Sequence, residues 1–263
     1  MQETIEKKQI KSIDFNCDLA QSFGVYKNDA EYELLDYISS VNISCGFHAG
    51  DPLVIKNALM EAKERNIVVG AHIGFDDIQG FGYRETQLSE EEIEALVIYQ
   101  VGAITSFAKT FGLEIEHVRP HGAMYKQAAT DFTFASAVAK AVKKCSAWLV
   151  YYGAAGDVTQ KVGEYVDIKV AQEIFLDKTY TAEGLIDFSA KDNSNFDFNI
   201  GRLNHLLSTS EIDNNLGGKT IVNADTIHFA NKYESSLDIL KAAREIIIPE
   251  PVNYIKAKNS GWV

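Results

Sequence analysis

Polar and apolar positions alternate along the first patterned stretch of the chain. Ile13, Phe15 and Cys17 are apolar, and Asp14, Asn16 and Asp18 between them are polar. A period of two marks a β-strand. The run 41–47 repeats it, with Val41, Ile43 and Cys45 against Asn42 and Ser44. Short runs rich in β-branched or aromatic residues predict further strands at 67–72, 115–120, 148–152, 166–173 and 220–225. Helical patterns fill the gaps. Asp51-Pro52 reads as N-cap and first helical residue of a helix reaching about residue 65. Ser89 and Glu92 form a capping box for a helix over 90–111, which Gly112 ends. Asp131 caps a helix over 131–144, and further helices are predicted at 31–39, 155–163, 199–208 and 234–247.

Such β/α alternation implies parallel strands joined by crossover helices. The polar face of the first strand decides between an open sheet and a barrel. A central strand of an open α/β sheet is covered on both faces and is apolar on both. A polar inner face suits a barrel whose mouth is an active site. The prediction is therefore one (β/α)7 TIM-like barrel over 12–248, a polar lead at 1–11 and an extended tail at 249–263. That tail reads as an arm suited to packing on a neighbour, so a homo-oligomer is an open expectation.

Composition narrows the partners. The 263 residues carry a formal charge of −12, with 46% apolar residues. The acidic balance argues against nucleic acid or an anionic membrane as main partner, since both call for a basic face. A small anionic substrate held by a few local cations stays compatible. Cys17, Cys45 and Cys145 have no close spacing, so no zinc or disulfide framework is expected. The first residues lack the apolar core of a signal peptide, and no apolar run approaches about 18 residues. A cytoplasmic location is expected.

Reactive groups gather where the strands end, the catalytic end of a barrel. The first strand offers Asp14, Asn16 and Asp18, and the second Ser44 and His48, followed by Asp51. The third offers His72, with Asp76 and Asp77 beyond it, and the fourth His117, Arg119 and His121. Glu173 ends the sixth, and Asn223 and Asp225 the seventh. Four of six histidines on three successive strands exceed what structural histidines explain. An Asp with several His suits a divalent metal, or acid–base work without one. Spacing leaves that choice open. Arg119 is either an ion-pair residue or a bidentate clamp for a substrate carboxylate. The long connection 75–88 has the shape of an active-site loop, and 177–199 that of a lid or a loose insertion. Tyr83, Tyr125 and Tyr180 stand near loop ends. Leu216–Thr220 imitates a phosphate loop, but Asp213 stands where the upstream glycine belongs, and the segment enters a strand. The turn 153–156 is either an anion-binding helix start or a plain βα turn.

The strings IDFNCDLAQSFG, VNISCGFHAGDP, VVGAHIGFDDIQGFGYR, HVRPHGAMY, QEIFLDKTY and NADTI, in this order, resemble the LamB/YcsF family over about residues 13–248. The resemblance implies a barrel of the glycoside hydrolase/deacetylase type. It implies ATP-dependent opening of 5-oxo-L-proline to L-glutamate, with ATP as co-substrate and two further 5-oxoprolinase subunits, B and C, as partners. It points to Asp18, His48, His72 and His121 as catalytic. Asn16, Asp51, Arg84, Arg119, Tyr125, Glu173 and Asp225 are the expected substrate contacts. Two other readings are a metal-dependent hydrolase of another amide or an acetylated sugar, and a degenerate small-acid-binding paralogue. The sequence departs from the family pattern where Ala20-Gln21 replaces Gly-Glu, at Ala230-Asn231-Lys232, and at Tyr83, where the family has arginine.

Overall fold

The computed structural model describes residues 12–252. The predicted lead at 1–11 and the tail beyond 252 lie outside the described residues. Seven parallel strands close into a barrel: β1 (Asp14–Leu19), β2 (Ser40–Ser44), β3 (Val68–Ile73), β4 (Ile115–Pro120), β5 (Val150–Ala154), β6 (Val170–Ile174) and β9 (Thr226–His228). β9 closes the ring, pairing with β1 through Asp14–Thr226 and with β6 through Glu173–Thr226. Helices α1 (Pro52–Glu64), α2 (Glu90–Thr110), α3 (Gly122–Thr130), α4 (Phe132–Cys145), α5 (Asp157–Val166), α6 (Phe196–Thr209) and α7 (Ser236–Ile246) accompany the strands.

The period-two pattern sets which side chains face where. Phe15, Cys17, Val41 and Ile43 point outward into the apolar layer between strands and helices. Helix α1 answers with Ile55, Ala58, Leu59 and Ala62, a stripe at helical spacing. Burying each large apolar side chain there contributes about 1.5–3 kcal/mol. The expected caps form. Asp51 accepts from the amides of Leu53 and Val54 at 3.0 Å each. Ser89 and Glu92 complete a reciprocal capping box.

Two predicted elements are corrected, and one helix is added. The expected strand 220–225 is replaced by β9, which begins at Thr226. The β-branched residues around Thr220 instead form β8 (Lys219–Ile221), antiparallel to β7 (Glu211–Asp213). The LGGKT string is therefore a hairpin turn leading into β8. The predicted helix 31–39 is a 3-10 helix, Asp29–Tyr37. Helix α3 fills what the sequence pattern leaves as a connection, because its nine residues run straight into the cap of α4 at Asp131.

Candidate active site

The barrel interior is built from the polar faces of its strands, in layers. At the bottom, Asp14 accepts hydrogen bonds from the hydroxyls of Ser39 (2.6 Å), Ser40 (2.8 Å), Thr226 (2.6 Å) and Tyr152 (3.2 Å). Burial pushes its pKa up to about 6, and the four hydroxyls restrain the rise. In the middle, the Asn16 amide donates to Glu173 (3.0 Å) and Thr226 (2.7 Å). Its oxygen accepts from Asn42 and from His228 Nδ1, both at 2.8 Å. His117 Nε2 meets the Asn42 oxygen at 2.8 Å, and its ring stacks on Tyr152. Burial pushes His117 and His228 down to about 3, so both are neutral near pH 7.

The upper layer is charged. Arg119 grips Glu173 through Nε (2.8 and 3.0 Å) and Nη2 (2.8 Å), and reaches Asp18 through Nη1 at 3.3 Å. Asp18 also accepts from Asn42 (3.0 Å) and Gln21 (3.3 Å), and lies 3.2 Å from His72 Nε2. Burial alone would raise the Asp18 pKa. The charges of His72 and Arg119 outweigh it and hold the carboxyl well below its usual range. Glu173 behaves alike: its burial acts upward, and Arg119 outweighs it and lowers the carboxyl.

His72 and His121 form a pair whose protons can be counted. His72 Nδ1 faces the Arg119 carbonyl at 3.1 Å, and His121 Nε2 faces the Phe81 carbonyl at 2.7 Å. A carbonyl only accepts, so both of these nitrogens carry hydrogen. The remaining nitrogens, His72 Nε2 and His121 Nδ1, face each other at 3.0 Å. A hydrogen bond across that contact takes one more proton. With that proton the four nitrogens would share three, one imidazolium for the pair, beside the Asp18 carboxylate 3.2 Å from His72. Burial, and His72 beside it, push His121 down to about 3, so an extra proton is disfavoured on the His121 ring itself. The glycine of the loop permits this closeness. Gly82 has φ +70°, and a Cβ there would sit 2.7 Å from His121 and 2.8 Å from His48.

A cavity of about 330 Å³ opens above these groups, the size of a small-metabolite site. Asp18, Arg119, His121, Tyr125 and His228 line it, with aromatic walls from Phe81, Tyr83, Phe175 and Phe188. The segment after β6 folds over the mouth and is tied down. Lys178 meets Asp192 at 2.5 Å, the Tyr233 hydroxyl donates to Asp192 at 3.0 Å, and the Asn193 amide donates to the Asp177 carbonyl at 2.7 Å. The lid alternative for 177–199 thus describes its position, although α6 already starts at Phe196.

Asn16, Asp18, His48, His72, Arg119, His121, Tyr125 and Glu173 stand together, though His48 and His72 sit behind the cavity wall. His48 bonds Ser44 through Nε2 at 3.1 Å and stacks flat on His121 at 4.0 Å. Three expected contacts are placed elsewhere. Asp225 precedes β9 and so sits at the opposite end, where its carboxylate accepts from the Gln172 amide at 2.8 Å. Asp51 is spent as the cap of α1. Arg84 is exposed and paired with Asp77 within its own loop. Arg119, a candidate carboxylate clamp by sequence, is already engaged by Glu173 and Asp18. The 153–156 turn is a plain βα turn, its Gly156 amide taken by Gln172 at 3.0 Å.

His228, Lys126 and Lys178 also line the cavity, and the sequence pattern does not single them out. His228 was legible, because Thr226 and His228 alternate with Ile227 just beyond the predicted strand 220–225. Lys126 and Lys178 carry no sequence signal.

His48, His72 and His121 place one nitrogen each within 4.8 Å of the others, close enough for a divalent ion. Their ring planes do not converge, however. His48 and His121 are inclined by only 12°. Lone pairs lie in the ring plane, and two stacked planes share no point for one ion. The three histidines as arranged do not form a metal-ligand set.

The profile of the LamB/YcsF family matches residues 13–260. The chain is similar to the 5-oxoprolinase A-subunit of Bacillus subtilis, 45% identical over 66% of this chain and 68% of that protein. It is similar to the 5-oxoprolinase A-subunit of Bacillus licheniformis, 35% identical over 87% of this chain and 95% of that protein. Among solved structures, the lactam utilization protein of Thermus thermophilus superposes with a TM-score of 0.83 at 31% identity, over 94% of this chain and 97% of that one.

Proposed function

The chain belongs to the LamB/YcsF family, and from that membership we propose that it is the lactam-opening component of an ATP-dependent 5-oxoprolinase. The observation that carries the reading is the His72–His121 pair, its facing nitrogens 3.0 Å apart beside Asp18 at a small-molecule cavity. A five-membered lactam is a stable amide. Phosphoryl transfer from ATP to the amide oxygen makes the ring carbon electrophilic and supplies the driving force. Water then adds to that carbon, the carbon–nitrogen bond breaks, and the nitrogen leaves with a proton. The His pair supplies that proton and becomes neutral. The neutral pair then takes the proton that the added water gives up as the acyl phosphate carbonyl forms, which restores it, and a second water cleaves the acyl phosphate to L-glutamate and inorganic phosphate. One pair thus acts as acid and then as base. Asp18 keeps the extra proton on the imidazoles, while Arg119 fixes Asp18 and Glu173 in place.

Partner subunits B and C, cytoplasmic location and ATP as co-substrate belong to the same proposal. Among the described residues no helix is long and apolar enough to cross a membrane. Purified chain combined with partner subunits, ATP and 5-oxo-L-proline is expected to release glutamate. No release at any partner stoichiometry would overturn the reading.

A further inference from the structure

The cavity needs a cation for a carboxylate-bearing lactam, and the lining supplies four candidates: Arg119, Lys126, Lys178 and Lys232. Three are spent. The Arg119 guanidinium is shared between Glu173 and Asp18. Lys178 and Lys232 converge on Asp192, at 2.5 and 3.7 Å, and their charge ties the covering segment down. Lys126 differs. Among the described residues its ammonium meets no carboxylate within ion-pair distance. It lies 5.7 Å from the Tyr83 ring centre and 5.9 Å from that of Phe188.

Tyr83 also packs edge-on against His121, with ring centres 5.2 Å apart. The unpaired ammonium and the proton-bearing pair therefore flank one aromatic ring. In 5-oxoproline the carboxylate sits on the carbon bonded to the ring nitrogen. A ligand that turns its nitrogen toward His121 has its carboxylate one carbon away. Two aromatic faces hold the ammonium without neutralising it, since a ring quadrupole attracts a cation but carries no net charge. An incoming carboxylate thus finds a pre-positioned charge with no bond to break first.

We propose that Lys126 is the carboxylate anchor of this site and selects acidic lactams over neutral ones. The proposal rests on the lactam-opening reading and names the residue that sets its substrate class. Lys126 is a binding and specificity residue and takes no part in proton transfer.

The test uses the assembled complex with wild-type chain, Lys126→Met and Lys126→Arg. Lys126→Met keeps the stem and removes the charge. Its KM for 5-oxoproline is expected to rise about 10- to 100-fold, the scale of one charge-assisted hydrogen bond. The kcat should change little, and Lys126→Arg should recover most of the loss. Calorimetry of 2-pyrrolidinone, the same ring without the carboxylate, should return the same affinity or the same lack of binding for wild type and Lys126→Met. An unchanged KM in Lys126→Met overturns the anchor while leaving the lactam reading intact. So does a loss confined to kcat. A wild-type complex that neither binds nor opens 5-oxoproline overturns both.

Discussion

Asp14 and Asp18 lie on the same strand, point into the same barrel and stand four residues apart, yet their chemistry is opposite. Asp14 is surrounded by neutral hydroxyls, and burial pushes it up to about 6. Asp18 is surrounded by Arg119 and the His72–His121 pair, and is held well below the usual carboxylate range. The difference lies in the donors. Neutral donors satisfy a buried carboxylate without repaying the cost of its charge. Cationic donors repay it and keep the charge in place. The bottom of the barrel is therefore a closed structural plug. The mouth, in the proposed mechanism, stores an imidazolium whose proton passes to a ligand.

The largest expected effect comes from removing the upper charge. Asp18→Asn keeps the volume but leaves the imidazole pair without its counter-charge. The pair then sheds its shared proton, and Arg119 retains Glu173. Turnover of the assembled complex is expected to fall by about 10²–10⁴-fold, the usual contribution of a positioned acid–base group. Circular dichroism should show the folded barrel. An unfolded Asp18→Asn chain would make Asp18 a structural residue like Asp14.

Asp14 should behave in the opposite way. Its folded pKa, about 6, exceeds the ordinary value of 3.8, so between these values the folded chain binds more protons than the unfolded one. Stability attributable to Asp14 is then present below pH 3.8 and lost as the pH rises through about 6. The span corresponds to about 3 kcal/mol. Denaturant titrations of wild type and Asp14→Asn between about pH 4 and 7 should show this downward trend in wild type alone, with activity retained in the variant. Parallel pH profiles would contradict the assignment.

The smallest effect concerns the loop above Asp18. Ala20 has φ +64°, the left-handed region where a Cβ is penalised, and it stands where the family pattern has glycine. Ala20→Gly is expected to relieve strain of about 1 kcal/mol, offset in part by the loss of a buried methyl. A midpoint shift to higher denaturant checks it. A clear drop in the midpoint would mean that packing outweighs the backbone there. Gln21 next to it donates to Asp18 at 3.3 Å, so the glutamate of the family pattern would set two carboxylates against each other in this chain.

The upper and lower layers are unequally legible in the sequence. The alternation of Asp14, Asn16 and Asp18 exposes the barrel and its polar interior, because a period of two in one strand is local information. His48, His72 and His121 come together because strand ends of a parallel barrel share one face. The role of Arg119 is not legible in this way. Its partner Glu173 is 54 residues away on another strand, and no spacing rule reports that a guanidinium is already taken. Asp225 falls at the opposite end from the one its sequence pattern implies, because the hairpin β7–β8 carries the same β-branched signature as a barrel strand. Register is a property of pairing, and composition does not carry it. Lys126 is invisible for a third reason. A lysine on a helix is ordinarily solvated, and this one, exposed as it is, joins the cavity lining only because Tyr83 and Phe188 fold beside it.

Asp18, unlike Asp14, is proposed to hold an extra proton between two imidazoles. Proton and nitrogen NMR of the chain labelled at its histidines tests it directly. A far-downfield proton coupled to both His72 and His121 is predicted at neutral pH. It should persist in Asp14→Asn and vanish in Asp18→Asn. Two separately titrating neutral rings in the wild-type chain, with no shared proton, would contradict the account.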